Sequence, residues 1–389
     1  MAKQTLAELR LGIRAIDSEL VHLLGRRLRL VQEIGKLKHE LKIPIIDPAT
    51  EKAVIHNFVT SASDAGIDKG FAKRLANLII EGSVEVQRSM QPVGSAEPSI
   101  AKVAIIGTGG MGSWFARFFK SRGSYVTVSD RDQRRARLLA SKIQVKCASN
   151  NIEAVRESDM VIIATPANVV STVVNEILPA LRKNVLLVDI SAVKSPVMSI
   201  LRLAEKRGVQ VASIHPLFGP LASGLRGKNV IVVKTGSKRG FKRVKHMLEN
   251  ASIFVTDQQT HDRQTALTLS LPHFLNMAFA MTISKRNIAE ARKFAGRTFN
   301  LQMLLAEMVA SELETTADIQ IMNKEFLAIL EELERNIELL AEIVKRQDRA
   351  KLIARYQRIL EQLSSDPEFA LAGEAFERAC EAVSIDSER

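Results

Sequence analysis

Three groups of residues in this 389-residue chain have types and spacings that could do chemistry. The first is Gly107-Thr108-Gly109-Gly110-Met111-Gly112, which follows the apolar run Val103 to Ile106 and precedes a helical pattern reaching about Arg122. A lone GxGxxG says little. Between a strand and a helix, however, such a loop lets a pyrophosphate approach the helix N-terminus, and Asp130, ending the next apolar run, would accept the ribose hydroxyls. Its carboxylate would repel a 2′-phosphate, so NAD is expected over NADP, although the adjacent Arg131 weakens the preference. Cofactor contacts are expected at Gly107, Gly109, Gly110, Met111, Gly112, Asp130 and Arg131, and at Thr165 and Pro166 after a later strand-like run.

The second group lies in two segments, Asp189-Ile190-Ser191-Ala192-Val193-Lys194 and Ser213-Ile214-His215-Pro216-Leu217-Phe218-Gly219-Pro220, each after a strand-like run. Open α/β sheets bind ligands at such strand ends, and His215, pinned by a proline, is a plausible general base as well as a plausible structural polar group. The third group lies near the N-terminus. Leu6, Leu9, Ile13, Ile16, Leu20, Leu23, Leu30, Ile34, Leu37 and Leu41 form one stripe of a long helix, but Arg27 occupies a stripe position. A guanidinium in an apolar seam needs an anion. Arg10 and Lys38 flank the same stripe, roughly 42 Å apart at 1.5 Å per residue, so one small ligand can meet both only if Arg10 comes from a second, antiparallel chain. The row Phe71, Leu75, Ile79 continues into Ser83 and Gln87, turning polar where a site or simply a helix end would be. Asp47-Pro48 reads as N-cap and first helical residue, with Glu51 in the first turn.

These groups need three kinds of scaffold. Residues 1–91 read as three helices, 92–100 as a turn-rich linker, 101–257 as alternating strands and helices of a doubly wound parallel sheet, and 258–389 as almost wholly helical. Strands are expected over Val103 to Ile106, Tyr125 to Val128, Met160 to Ala164, Val185 to Val188, Val209 to Ile214 and Val230 to Val233. A heptad-like tail with Leu327, Leu330, Leu333, Ile337, Leu340 and Val344 offers a face that packs between chains or within one. Composition narrows the partners. The net charge of +12 comes from scattered Lys and Arg with only 5% aromatic residues, which suits small anionic substrates better than nucleic acid. Cys147 and Cys380 form no metal-ligand spacing and no disulfide framework, so no metal is expected. No signal core and no apolar run near the roughly 20 residues of a membrane span are read, and a cytoplasmic protein without membrane partners is expected.

Two resemblances accumulate on these residues. Leu6 to Gln87, with Leu-Arg at Arg10, Ile-Asp at Asp17, Arg27, Gly-Lys-Leu-Lys ending at Lys38, Asp47 through Glu51, and Ile-Ile-Glu-Gly-Ser-Val-Glu-Val-Gln ending at Gln87, resembles the all-helical class of chorismate mutases. The resemblance implies a cofactor-free Claisen rearrangement of chorismate to prephenate. It assigns Arg27 and a partner chain's Arg10 to the carboxylates, Lys38 and Gln87 to the ether oxygen and Glu51 to the ring hydroxyl, with Asp47 and Ser83 also lining the site. Where that family has an arginine before Glu51, this chain has Thr50. Lys102 to Asn323 resembles prephenate dehydrogenases, most specifically in HP-x-FGP. That implies oxidative decarboxylation of prephenate to 4-hydroxyphenylpyruvate with His215 as base, Ser191, Lys194 and His273 near the substrate, and a C-terminal dimerisation domain making a homodimer; the family's substrate-clamping arginine aligns near Glu307, with Arg297 the nearest alternative. The family's serine before Val-Lys is Ala192 here, with Ser191 one place earlier.

Overall fold

The computed structural model describes residues 5–41, 43, 45, 47–89, 102–225 and 227–386. The chain divides near residue 99 into two compact units. The first holds α1 (Leu6–Glu40), α2 (Pro48–Asp64) and α3 (Lys69–Ser89). Helix α2 starts where Pro48 takes the first position and Asp47, as N-cap, accepts from the Ala49 and Thr50 amides. The small core comprises Val31, Ala62, Ala72, Ala76, Ile80 and Val84. It lies toward the second half of α1, because every residue of α1 up to Leu24 is exposed.

The second unit opens with β1 (Lys102–Ile106), α4 (Gly110–Ser121), β2 (Tyr125–Ser129), α5 (Gln133–Ile143), β3 (Lys146–Cys147), α6 (Asn151–Val155), β4 (Met160–Ile163) and α7 (Ala167–Ile177). It continues with β5 (Leu186–Asp189), α8 (Met198–Lys206), β6 (Gln210–Pro216), β7 (Asn229–Val233), α9 (Lys238–Met247) and β8 (Ser252–Thr256). The eight strands run in the order β3-β2-β1-β4-β5-β6-β7-β8. Alternate residues of β1 feed opposite layers: Val103 and Ile105 pack with Trp114, Phe115 and Phe119, while Ala104 and Ile106 pack with Val161, Ile163 and Val170. The sheet departs from all-parallel at one edge, where β7 is antiparallel to β6 and β8 follows β7 in parallel. The connection 217–228 contains no helix to make a crossover, so the chain can only turn back beside β6. Strands β3 and β8 were not expected; the first has two residues and the second lies half-exposed at the sheet edge.

Helices α10 (Gln258–Thr265), α11 (Leu271–Ile283), α12 (Ile288–Lys293), α13 (Arg297–Ser311), α14 (Leu313–Met322), α15 (Phe326–Lys345), α16 (Arg349–Leu363) and α17 (Ala372–Asp386) complete the unit. A π turn at Ala266–Ser270 joins α10 to α11, and π turns often mark functional positions. Contrary to expectation, the helix Gln258–Ile283 contains a stretch long and apolar enough, by length and composition only, to cross a membrane. Its first turns nevertheless carry the buried polar pair His261 and Asp262, and it packs on α13 and α15.

Candidate active sites

In the helical unit, α1 and α3 carry the polar residues toward each other. Arg27 is half-buried, and its Nη1 donates to Ser83 Oγ and, at 3.5 Å, to the Ile79 carbonyl. Burial lowers the guanidinium pKa, as expected for a cation held in a partly apolar seam. One turn along α3, buried Gln87 has an Oε1 with no hydrogen-bond partner among the described residues. It packs on Gly35, where an added Cβ would come within 3.2 Å of the Gln87 Cα, so glycine lets the two helices close around this point. Lys38 follows on the same helix, its Nζ donating to the Ile45 carbonyl at 2.7 Å, and Glu51 stands half-buried in the first turn of α2. Arg10 is exposed, roughly 25 Å along α1 from Arg27. Asp47 holds the start of α2. Its Oδ1 caps α2 and its Oδ2 accepts from Thr50 Oγ1 at 2.7 Å, which holds its pKa low, so Thr50 serves that cap.

In the second unit the glycine loop is shaped for close approach. Gly107 has a φ of +95°, and a Cβ there would lie 2.5 Å from the Ala164 carbonyl oxygen; at Gly112 it would lie 1.9 Å from the Gly107 carbonyl oxygen. At Gly109 nothing lies within 4 Å, so the loop is tight on its protein side and open at its middle, which fits a dinucleotide pyrophosphate at the start of α4. The Pro220 ring reaches Gly110, Phe218 packs against Trp114 with ring centroids 4.8 Å apart, and the Trp114 indole donates to the Ala222 carbonyl at 2.7 Å. The FGP segment thus braces the glycine loop. Asp130 lies at the end of β2 as expected, but its Oδ2 accepts from the Thr108 amide at 2.6 Å and hydroxyl at 2.7 Å. Arg131 turns to Glu314 at 2.8 Å. Thr165 presents a buried Oγ1 without a partner beside Pro166, which N-caps α7 without a side-chain acceptor; Asp318 of α14 supplies a carboxylate to the Asn168 amide there, at 3.3 Å.

The ends of β5 and β6 hold a buried polar network. Asp189 accepts from the Ser191 amide at 2.9 Å and hydroxyl at 2.5 Å, from Ser213 Oγ at 2.7 Å and from Lys194 Nζ at 2.8 Å. Lys194 also donates to the Ile214 carbonyl at 2.7 Å. Burial alone would raise the Asp189 pKa, but the Lys194 ammonium and the hydroxyl donors outweigh it and hold the acid ionised. Lys194 is fully buried between the Asp189 carboxylate and the Ile214 carbonyl. His215 is buried in β6, its Nδ1 3.0 Å from His261 Nε2, and His261 Nδ1 is 2.8 Å from Asp262 Oδ1. Burial, with Lys194 and His261 adding to it, pushes the His215 pKa well below its ordinary value, leaving a neutral imidazole. His273 is half-buried in the first turn of α11, with a buried Nδ1 lacking a partner. Arg297 is drawn to the Glu377 carboxylate and Glu307 to Arg292, so neither presents a free charge.

Three family descriptions match in chain order: Chorismate mutase type II over residues 9–88, the nucleotide-binding domain of prephenate dehydrogenase over 115–251, and its dimerization domain over 257–358. The T-protein of Haemophilus influenzae is 26% identical over 92% of each chain. The chain thus joins a region matching chorismate mutases to regions matching both domains of prephenate dehydrogenases. A probable arogenate/prephenate dehydrogenase of Methanocaldococcus jannaschii is 33% identical over 64% of this chain, which spans 57% of that relative's length. In fold, the dehydrogenase unit resembles the Aquifex aeolicus prephenate dehydrogenase solved with hydroxyphenyl propionate and NAD+, with a TM-score of 0.57 at 19% identity, covering 70% of this chain and all of that one. The open middle of the glycine loop leaves room for a nucleotide in the domain that matches a nucleotide-binding family. Sequence reasoning did not single out His261, Asp262 or Asp318, nor Asp189 as the centre of its network. The signal for the first two was a His-Asp pair opening an otherwise polar helix just before an apolar run.

Proposed function

We propose that the chain rearranges chorismate to prephenate in its helical unit and oxidatively decarboxylates prephenate to 4-hydroxyphenylpyruvate in its sheet-containing unit. The observation that carries this reading is the pairing, in one chain, of the Arg27–Ser83–Gln87 seam with a neutral buried histidine at a strand end beside a glycine loop. In the mutase reaction Arg27 and Arg10 of a second copy hold the two carboxylates. Lys38 and Gln87 meet the ether oxygen as negative charge grows on it, and Glu51 holds the ring hydroxyl. Orienting the substrate and stabilising that charge are the levers open to an uncatalysed pericyclic step.

In the dehydrogenase reaction NAD supplies the acceptor for the hydride that leaves the hydroxyl-bearing carbon. His215 takes the hydroxyl proton on Nε2, the ring becomes aromatic as the carboxylate departs as carbon dioxide, and His215 returns the proton to the phenolate oxygen. Gly107, Gly109, Gly110, Met111 and Gly112 would hold the pyrophosphate of the dinucleotide. Asp130, which anchors Thr108, would take the ribose hydroxyls, and Thr165 and Pro166 would complete the cofactor site. Ser191 and Lys194 shape the substrate end through Asp189, and His273 lines it from α11.

The working form is a homodimer in the cytoplasm. Leu6, Leu11, Ile13 and Ile16 of α1, Leu275 and Met281 of α11, Leu304 and Met308 of α13, and Leu327 and Ile337 of α15 are exposed in the single chain and need covering. A second reading, with arogenate as the dehydrogenase substrate, is favoured by the double description of the Methanocaldococcus relative. Initial rates of NADH formation with prephenate and with arogenate decide between them, and no rate with either removes the dehydrogenase assignment.

A further inference from the structure

The hydrogen bond between the His215 and His261 rings has a direction that can be derived from its far end. Asp262 accepts the Lys194 amide on Oδ1 at 2.9 Å and the Ser195 amide on Oδ2 at 2.8 Å. A carboxylate collecting backbone donors on both oxygens stays ionised and has no proton to give. The proton in the His261–Asp262 contact therefore sits on His261 Nδ1. Neutral imidazole carries a single N–H, so His261 Nε2 is bare and can only accept. The proton between the rings then belongs to His215 Nδ1, and His215 Nε2 is left bare.

We propose that His261, oriented by Asp262, is a positioning residue that fixes His215 in the tautomer whose bare Nε2 is the dehydrogenase base. This rests on the reading of His215 as that base. Without the contact, neutral histidine populates both tautomers, and the form with its proton on Nε2 cannot take another there. A second consequence follows on proton transfer. When the substrate O–H bond breaks and the Nε2–H bond forms, the His215 cation faces the buried Lys194 ammonium on one side. Its Nδ1–H points to His261 backed by the Asp262 carboxylate, the anionic counterpart that a buried imidazolium requires. The arrangement matters more here because the hydroxyl expected beside the base, directly before Val193-Lys194, is replaced by Ala192, and the Ser191 hydroxyl is bonded to Asp189.

The test uses the full chain with His261→Leu, His261→Gln and His215→Asn, assayed with prephenate and NAD, with the mutase rate on chorismate as internal control. His261→Leu is expected to lower dehydrogenase kcat by about 10²-fold, with both KM values within about threefold of wild type. His261→Gln, whose side-chain oxygen can accept the His215 Nδ1–H, is expected to recover about tenfold of that loss. Nitrogen-15 NMR of histidine-labelled protein should show His215 protonated on Nδ1 and bare on Nε2 in the wild type and the glutamine variant. A kcat within about twofold of wild type in His261→Leu, no recovery with glutamine, or a wild-type His215 protonated on Nε2 would each overturn the proposal. Loss of turnover in His215→Asn without loss in His261→Leu removes only the tautomer role. Full turnover in His215→Asn removes the base assignment itself. If the His261 variants do not fold, the wild-type NMR spectrum still decides.

Discussion

His215 can act as a base only while neutral, and its burial keeps it so below the ordinary histidine value of 6.5. The sign follows directly: lowering the pH through 6.5 leaves the base form in place, so the acid limb of kcat/KM for prephenate should lie below that pH. An acid limb above it would contradict the burial argument. His215→Asn should cut dehydrogenase turnover by about 10² to 10⁴-fold with little change in NAD affinity, read by steady-state rates and NAD titration. Arg27→Ala should abolish mutase turnover and spare the dehydrogenase, because the cation that the seam pairs with Ser83 is the one the substrate carboxylate needs. Lys194→Met leaves Asp189 as an uncompensated buried charge and should destabilise the second unit by about 3 to 5 kcal/mol, seen as a lower thermal midpoint. Arg27 was legible in the sequence because a charge interrupting an apolar stripe stands out. The buried pairing of Lys194 with Asp189 was not legible, since a sequence does not reveal which group its ammonium meets. His261 was invisible for a related reason: its partner lies 46 residues away, and only the fold brings the two rings together.

The glycine loop separates close packing from ligand approach within a single element. Gly112→Ala should force its neighbours apart, lowering both the thermal midpoint and NAD affinity, since the Gly107 carbonyl oxygen occupies the place a Cβ would take. Gly109→Ala meets nothing in the protein, so its thermal midpoint should hold while KM for NAD rises by more than about tenfold. If both variants weakened NAD binding only in proportion to lost stability, the loop would not be the pyrophosphate cradle. The central strands β1, β4 and β5 were legible because burial writes them as apolar runs, whereas β2 and β6 carry Thr127 and Ser213 within theirs. Strand β8, with Phe254 and Val255 more than two-fifths exposed, carries no such signature, and the reversal of β7 depends on a connection whose length says nothing of direction.

At the scale of the whole molecule, the first half of α1 packs on nothing else in its own helical unit among the described residues, and Arg10 lies on that half. If Arg10 completes the mutase site of a second copy, Arg10→Ala and Arg27→Ala are each inactive alone. Dimers formed from the two together regain one intact site, restoring roughly a quarter of wild-type mutase activity in an equal mixture. No recovery after mixing and refolding would place Arg10 outside the site. The three-part plan of the chain was readable from changes in hydrophobic period, whereas the faces that need a partner became visible only once the fold showed which stripes remain uncovered. The central claim is that one chain performs consecutive reactions, and the most direct measurement follows NADH when purified protein is given NAD and chorismate alone. NADH should appear after a lag that added prephenate abolishes. NADH from prephenate but none from chorismate, or none from either, would contradict the account.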